Sequence, residues 1–306
     1  MLHAVPSPPA EVPQAPARIM TGLYLRCRRE AQHIRLEQAA RVVGVSVPSV
    51  SRWERAKSSI PSDALGTLLR LYGVAGEHAR FLVRSLPPQG YNRGMHQEQG
   101  GGRRAPHDCW VDVALDEATA RHIAVMRLAS KVIQYCRQVP AGLRTEGYQR
   151  FVLDPEVCIA PDEPVLGLPS WVHGVDWAEG QRRTVLLDET VLAQGRGDRP
   201  AMVADQLRHL AQLVSREREG QGLAIRVLPA EQVLFIHTVG ATAEVTLHEH
   251  RMVVTFGLSP TYETGSGTAR IIGAGLREAA DAAWGREATH RALMSAAEDM
   301  ERRAAS

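Results

Sequence analysis

In the first third of the chain, apolar residues return at helical steps. Ile19, Leu23 and Cys27 lie four apart and put one stripe on a helix over 18–30. Ile34, Leu36, Ala39, Ala40 and Val43 form a smaller face that stops at Gly44. Ser62-Asp63 opens a further helix carrying Leu65, Leu68, Leu69 and Tyr72, which Gly73 stops. A last one, over 77–86, offers Phe81, Leu82 and Leu86 before Pro87-Pro88.

Between the second and third of these faces lies the stretch Gly44-Val45-Ser46-Val47-Pro48-Ser49-Val50-Ser51-Arg52-Trp53-Glu54-Arg55. Gly44 suits a tight turn, Ser46 is a good N-cap, and Pro48 falls in the first turn, where a missing amide costs little. Val50 and Trp53, three apart, share a face and anchor inward. Val47, Pro48, Ser49 and Arg52 are left to point elsewhere, and the Arg52 guanidinium carries five donors in a fixed fork that suits a guanine edge or a phosphate. Two helices joined by so short a turn predict a helix-turn-helix inside an all-α, five-helix domain over 18–86, expected to have a core of its own.

From 87 to 108 the pattern disappears into Gly, Pro and polar residues, including Arg103-Arg104, and predicts a linker. Beyond it a helix is expected over 112–138, with Ile123, Met126, Val132, Ile133 and Cys136 on one side. Short β-branched runs predict strands at 184–188, 224–228, 232–238, 243–248 and 251–256, with a hairpin turn at His250-Arg251. A helix starting at Asp198 carries Val203, Leu207, Leu210 and Val214, and a last long one is expected over 268–302. Helices flanking a mostly antiparallel sheet give an α+β domain over 109–306.

Charge sharpens this division. Residues 18–60 hold nine Arg or Lys against three Glu, a net of +6, whereas the whole chain of 306 residues is +2, which leaves −4 for the remainder. A basic module on a mildly acidic body predicts a localised polyanion partner. No apolar run reaches the length of about eighteen residues that a membrane span needs. Met1 to Ala17 lacks the charged start and apolar block of a secretory signal, and is expected to be a disordered tail on a cytoplasmic protein. Cys27, Cys109, Cys136 and Cys158 show no metal-ligand spacing and predict reduced, mostly buried thiols.

The segment Ala40-Arg41-Val42-Val43-Gly44-Val45-Ser46 followed by Val50-Ser51-Arg52-Trp53-Glu54 resembles the Cro and lambda-repressor-like (Xre-type) regulators. The resemblance implies binding to double-stranded DNA, with Val47, Pro48, Ser49 and Arg52 facing bases and Arg35, Arg55 and Lys57 touching phosphate. Val139-Pro140-Ala141-Gly142-Leu143-Arg144-Thr145-Glu146-Gly147-Tyr148 resembles a signature, V-P-G-L-L-Q-T-x-x-Y, in the C-terminal domain of actinobacterial regulators with such an N-terminus. Those are described as antitoxin-like transcriptional regulators, and the likeness runs over roughly residues 18–260.

Other constellations carry little chemistry. His237, His248 and His250 lack a Cys or carboxylate at a completing spacing, so no metal is expected. Gly273-Ala274-Gly275 lacks the third glycine of a dinucleotide loop, and Asp188-Glu189 would point to opposite faces of a strand. With no Ser-His-Asp order, P-loop or HExxH, no enzyme and no cofactor are expected. The expected function is a sequence-specific DNA-binding transcriptional regulator, a homodimer whose C-terminal domain dimerises, senses a ligand or binds a small partner protein. The rival readings are an antitoxin that neutralises a partner and, further off, an enzyme domain fused to a DNA-targeting module. Ala280, Ala283, Trp284, Leu293 and Ala297 on the last helix offer one candidate dimer surface.

Overall fold

A computed structural model describes residues 14–91, 105–140, 142–152, 168–193, 199–218, 222–231, 234–256 and 259–305. Most of the expected tail and linker, with Arg103-Arg104 and Cys158, lie outside the described residues.

Five helices open the chain: α1 (Pro16–Ala31), α2 (Leu36–Val43), α3 (Val47–Glu54), α4 (Ser62–Leu71) and α5 (Gly76–Ser85). Each apolar stripe predicted from spacing faces inward: Ile19, Leu23, Cys27, Ala39, Ala40, Leu65, Leu68, Leu69, Tyr72 and Leu82 are all buried. Gly44 ends α2 at φ 70°, the left-handed conformation that closes a helix without the Cβ clash other residues meet.

The rest of the chain is a mixed sheet with helices on both faces. The strands are β1 (Cys109–Val111), β2 (Lys131–Cys136), β3 (Arg182–Asp188), β4 (Gly222–Leu228), β5 (Thr242–Leu247), β6 (His250–Thr255) and β7 (Thr261–Glu263). They lie side by side in the order β1-β7-β6-β5-β2-β3-β4. Four pairings are antiparallel and two, β2–β3 and β3–β4, are parallel. The helices are α6 (Leu115–Leu128), α7 (Glu146–Val152), α8 (Pro200–Ser215), α9 (Gly267–Ala282) and α10 (Arg286–Ala304).

Because side chains alternate along a strand, each strand feeds two cores. Ile133, Tyr135, Leu186 and Val253 pack under α9 on one face. On the other face Val185, Leu187 and Ile225 pack under α8 and α10. Farther along that same face Val132, Ala243, Val245, Met252 and Val254 join one apolar cluster with α6 and the helices of the N-terminal module.

That last cluster departs from the expectation of separate cores. Leu23 and Tyr24 of α1 belong to the same cluster as Trp110, Val125 and Tyr262. The cause is that α1 is apolar on more than one side, with Pro16, Ala17, Met20 and Leu25 buried as well as the four-spaced stripe. One stripe packs on the helical module and the remainder needs a second wall.

Further differences follow from local chemistry. The helix expected over 112–138 ends at Leu128, and Lys131–Cys136 is instead a central strand, buried on both sides. A short run rich in Val, Ile and Tyr suits either state by period alone, and long-range pairing to β3 and β5 decides it. Within the segment expected as a strand over 232–238, Phe235–Thr238 is a 3-10 turn, held by the Thr238 hydroxyl donating to the Phe235 carbonyl at 2.7 Å. The hairpin turn falls at His248-Glu249, with His250 and Arg251 already in β6. The long last helix is two, broken near Trp284, whose backbone N–H donates to the Val227 carbonyl at 2.9 Å. Leu293 and Ala297 are buried against α8, and Ala280 and Ala283 pack partly buried on the α9 core, so four of the five residues of this candidate dimer surface pack within the chain, while Trp284 is half-buried.

Candidate nucleic-acid interface

The helix α3 spans eight residues, roughly 12 Å at 1.5 Å per residue. Val50 and Trp53 point inward as their spacing requires, with Val50 fully buried. Its far end is fixed by charge. The Arg29 guanidinium of α1 donates to both carboxylate oxygens of the buried Glu54, at 2.6 and 2.9 Å. This bidentate geometry is the strong form of the pair. Backbone packing tightens the same junction: a Cβ placed on Gly22 of α1 would lie 2.5 Å from the Trp53 carbonyl oxygen. Glycine therefore allows α1 and α3 to cross at a distance no other residue permits.

The opposite side of α3 is turned to solvent. Pro48 and Arg52 are exposed and Val47 and Ser49 are half-buried, so all four predicted base-facing residues sit on the first two turns. Ser46 does not cap through a backbone bond; its hydroxyl meets that of Ser49 at 2.9 Å, and Ser49 in turn accepts from Arg52 at 3.3 Å. The Arg52 guanidinium is thus parked on its own helix by one neutral contact. Arg55 folds back on Ser51, bonding its carbonyl at 3.2 Å and its hydroxyl at 3.0 Å. Arg35 is exposed at the start of α2, its amide held by Gln38 at 2.8 Å.

Spacing gave no warning of what meets Lys57. Its ammonium lies 3.2 Å from the Glu249 carboxylate at the β5–β6 hairpin tip, and His250 of β6 lies 3.1 Å from the Arg55 carbonyl. Both turn residues, His248 and Glu249, have positive φ, 47° and 73°, the backbone of a two-residue type I′ turn. Neither is the Gly or Asn that marks such a turn in sequence, so the turn expected at His250-Arg251 falls two residues late. Burial, assisted by Arg26, His250, Arg55 and Lys57 nearby, pushes the His248 imidazole down to about 4, so it is neutral against this basic surface. His237 lies elsewhere, edge-on to Tyr135.

A buried ionic hub locks the module to the sheet. Arg121 of α6 and Asp112 are both fully buried and joined by two bonds of 2.7 Å. The Arg121 guanidinium also sits 5.0 Å from the Tyr24 ring centre of α1. Glu117, one turn back on α6, accepts from the Trp171 indole at 3.2 Å and faces Arg28 of α1 at 3.7 Å.

Among the described residues no helix is long and apolar enough to cross a membrane. No curated protein and no solved structure matches the chain. Residues 22–82 match a helix-turn-helix domain, and residues 117–295 match a domain of unknown function, DUF5753. Since that second match takes in more than half of the chain, the protein belongs to the DUF5753 family and carries a helix-turn-helix domain ahead of it.

Proposed function

We propose that this protein is a sequence-specific DNA-binding transcriptional regulator, with α3 entering the major groove. Val47, Pro48, Ser49 and Arg52 face the bases, and Arg35, Arg55 and Lys57 contact phosphate. The observation that carries the reading is the division of α3. Its Val50, Trp53 and Glu54 are consumed inside, while Pro48 and Arg52 stand free of the body on a module matched as a helix-turn-helix. Val47 and Pro48 offer no side-chain donors and contribute shape or contact with a thymine methyl, while Arg52 supplies the bidentate contact to guanine.

One such module covers one half-site, so the acting species is a homodimer on half-sites about 34–36 Å apart or a multiple of that distance. The sheet domain regulates the DNA-bound state in the cytoplasm by sensing a small ligand. The test is a binding titration of the purified protein on DNA from upstream of its own gene and on a scrambled duplex, at several salt concentrations. Equal affinity for both duplexes at every salt would overturn sequence-specific recognition.

A further inference from the structure

On the sheet face covered by α6 a cavity opens beside that helix. Its volume is about 550 Å³, a size that suits a small organic molecule. Its walls are apolar, with Met126 of α6, Phe256 after β6 and Val139 of the signature segment. That segment is pinned to α8 through Gln206, whose side chain accepts from the Thr145 amide at 2.7 Å and donates to the Leu143 carbonyl at 2.8 Å. The cavity floor is polar where the rest of this face is not: Gln134 of β2 and Arg183 of β3 lie there, joined at 2.9 Å.

The charge of the cavity is one-sided. Among the described residues its lining holds four arginines and no Asp or Glu. Three of them are held by neutral oxygens: Arg127 by the Val172 and Val175 carbonyls, Arg144 by the Val139 carbonyl and Gln149, and Arg183 by Gln134. None of these three has a carboxylate within ion-pair distance among the described residues. Two polar atoms in the lining are sealed from solvent without a hydrogen-bond partner among the described residues, Nε of Arg183 and Nδ1 of His122. The Trp177 ring, 53% exposed, lies 5.7 Å from the Arg183 guanidinium and 6.0 Å from that of Arg127, at the solvent edge. Positive charge held by neutral oxygens beside apolar walls, as at Arg127, Arg144 and Arg183, is costly to keep, and an anion entering the cavity offsets that cost.

We infer that this cavity binds a small anionic amphipath, an apolar ring or chain lying against Met126, Val139 and Phe256 with its acid group taken by Arg183. Burial lowers the Arg183 pKa and pushes the His122 imidazole down to about 4. The inference gives the sensing role proposed above its effector class and rests on that reading for its biological meaning only; the site itself is read without DNA.

The experiment uses the full chain and two fluorescent probes of one shape, anilinonaphthalene sulfonate and the uncharged phenylnaphthylamine. The sulfonate is expected to saturate one site per chain, to bind more tightly than the neutral probe and to be displaced by octanoate but not by octanol. Arg183→Met is expected to weaken the sulfonate by at least about tenfold, the scale of a lost charge-assisted hydrogen bond, and to leave the neutral probe unchanged. Ile123→Trp, at a half-buried position on the cavity wall, is expected to exclude both probes while the circular dichroism stays that of the parent. Equal affinity for the two probes, or an undiminished sulfonate signal in either variant, would overturn the site. DNA binding, titrated separately without probe, succeeds or fails independently of these outcomes.

Discussion

The helix-turn-helix module has an inner and an outer side, and they are built by opposite rules. On the inner side buried charges are paired: Arg29 grips Glu54, at the junction with the sheet Arg121 grips Asp112, and Tyr24 and Trp171 pack edge-on with centroids 5.4 Å apart. On the outer side the arginines are exposed and lean on their own hydroxyls, as Arg52 does on Ser49 and Arg55 on Ser51. The inner bonds are costly to break because losing one partner leaves the other as a buried charge out of water. The outer ones are weak enough to be exchanged for bonds to another surface. Rigidity of the frame and availability of the contact groups are thus assigned to different residues.

Breaking the inner side should cost stability most. Arg121→Ala leaves Asp112 buried without its cation and should lower the free energy of unfolding by about 3–5 kcal/mol, measured by urea titration. An unchanged midpoint would show that the hub is relaxed by water and not structural. Gly22→Ala should cost about 1–3 kcal/mol by forcing α1 from the Trp53 carbonyl, and should also weaken DNA binding because α3 is displaced. Stability reduced with DNA affinity intact would mean that α1 and not α3 absorbs the shift.

The outer side should respond in binding alone. Arg52→Ala is expected to leave the unfolding midpoint in place and to cost about 1–3 kcal/mol on operator DNA, relaxing preference at one base pair. An equal loss on scrambled DNA would reduce Arg52 to a phosphate contact. Arg55→Ala should weaken all sequences alike and lower the salt slope by roughly one.

A pH titration examines the seam between the two sides. His248 is neutral in the folded protein down to about 4, whereas the same side chain takes its proton near 6.5 once unfolded. Between those values the unfolded chain binds the extra proton, so its contribution to stability is full above 6.5 and is lost as pH falls toward 4. His248→Gln should flatten that part of the curve, and an unaltered slope would place the titration elsewhere. The smallest effect is expected from Glu249→Gln, which releases Lys57 and should tighten DNA binding by under about 1 kcal/mol. Weaker binding in that variant would show that the hairpin orders Lys57 for the phosphate and does not compete with it.

How much of this could be read from the sequence depends on how far apart the interacting residues lie. The inner face of α3 follows from Val50 and Trp53, three residues apart, and the turn from Gly44. Glu54 gave no such signal, because its partner Arg29 stands 25 positions away. The same limit explains Lys131–Cys136, whose strand state depends on neighbours at 182–187 and 242–246. Val139–Tyr148 was legible as a motif, whereas the cavity it borders needed β2, β3 and α6 to be assembled first.

The helix α1 serves at once as the first wall of the DNA-reading module and as a covering layer of the sheet, and this bears on how such proteins diversify. A module with a sealed core can be traded between unrelated bodies by a single recombination event at its linker. Here a transplant of the first five helices would strand Tyr24 and Arg28 without Trp171, Arg121 and Glu117, so a viable exchange has to carry the matching patch of the sheet domain with it. Point changes on the exposed side of α3, by contrast, leave this junction intact.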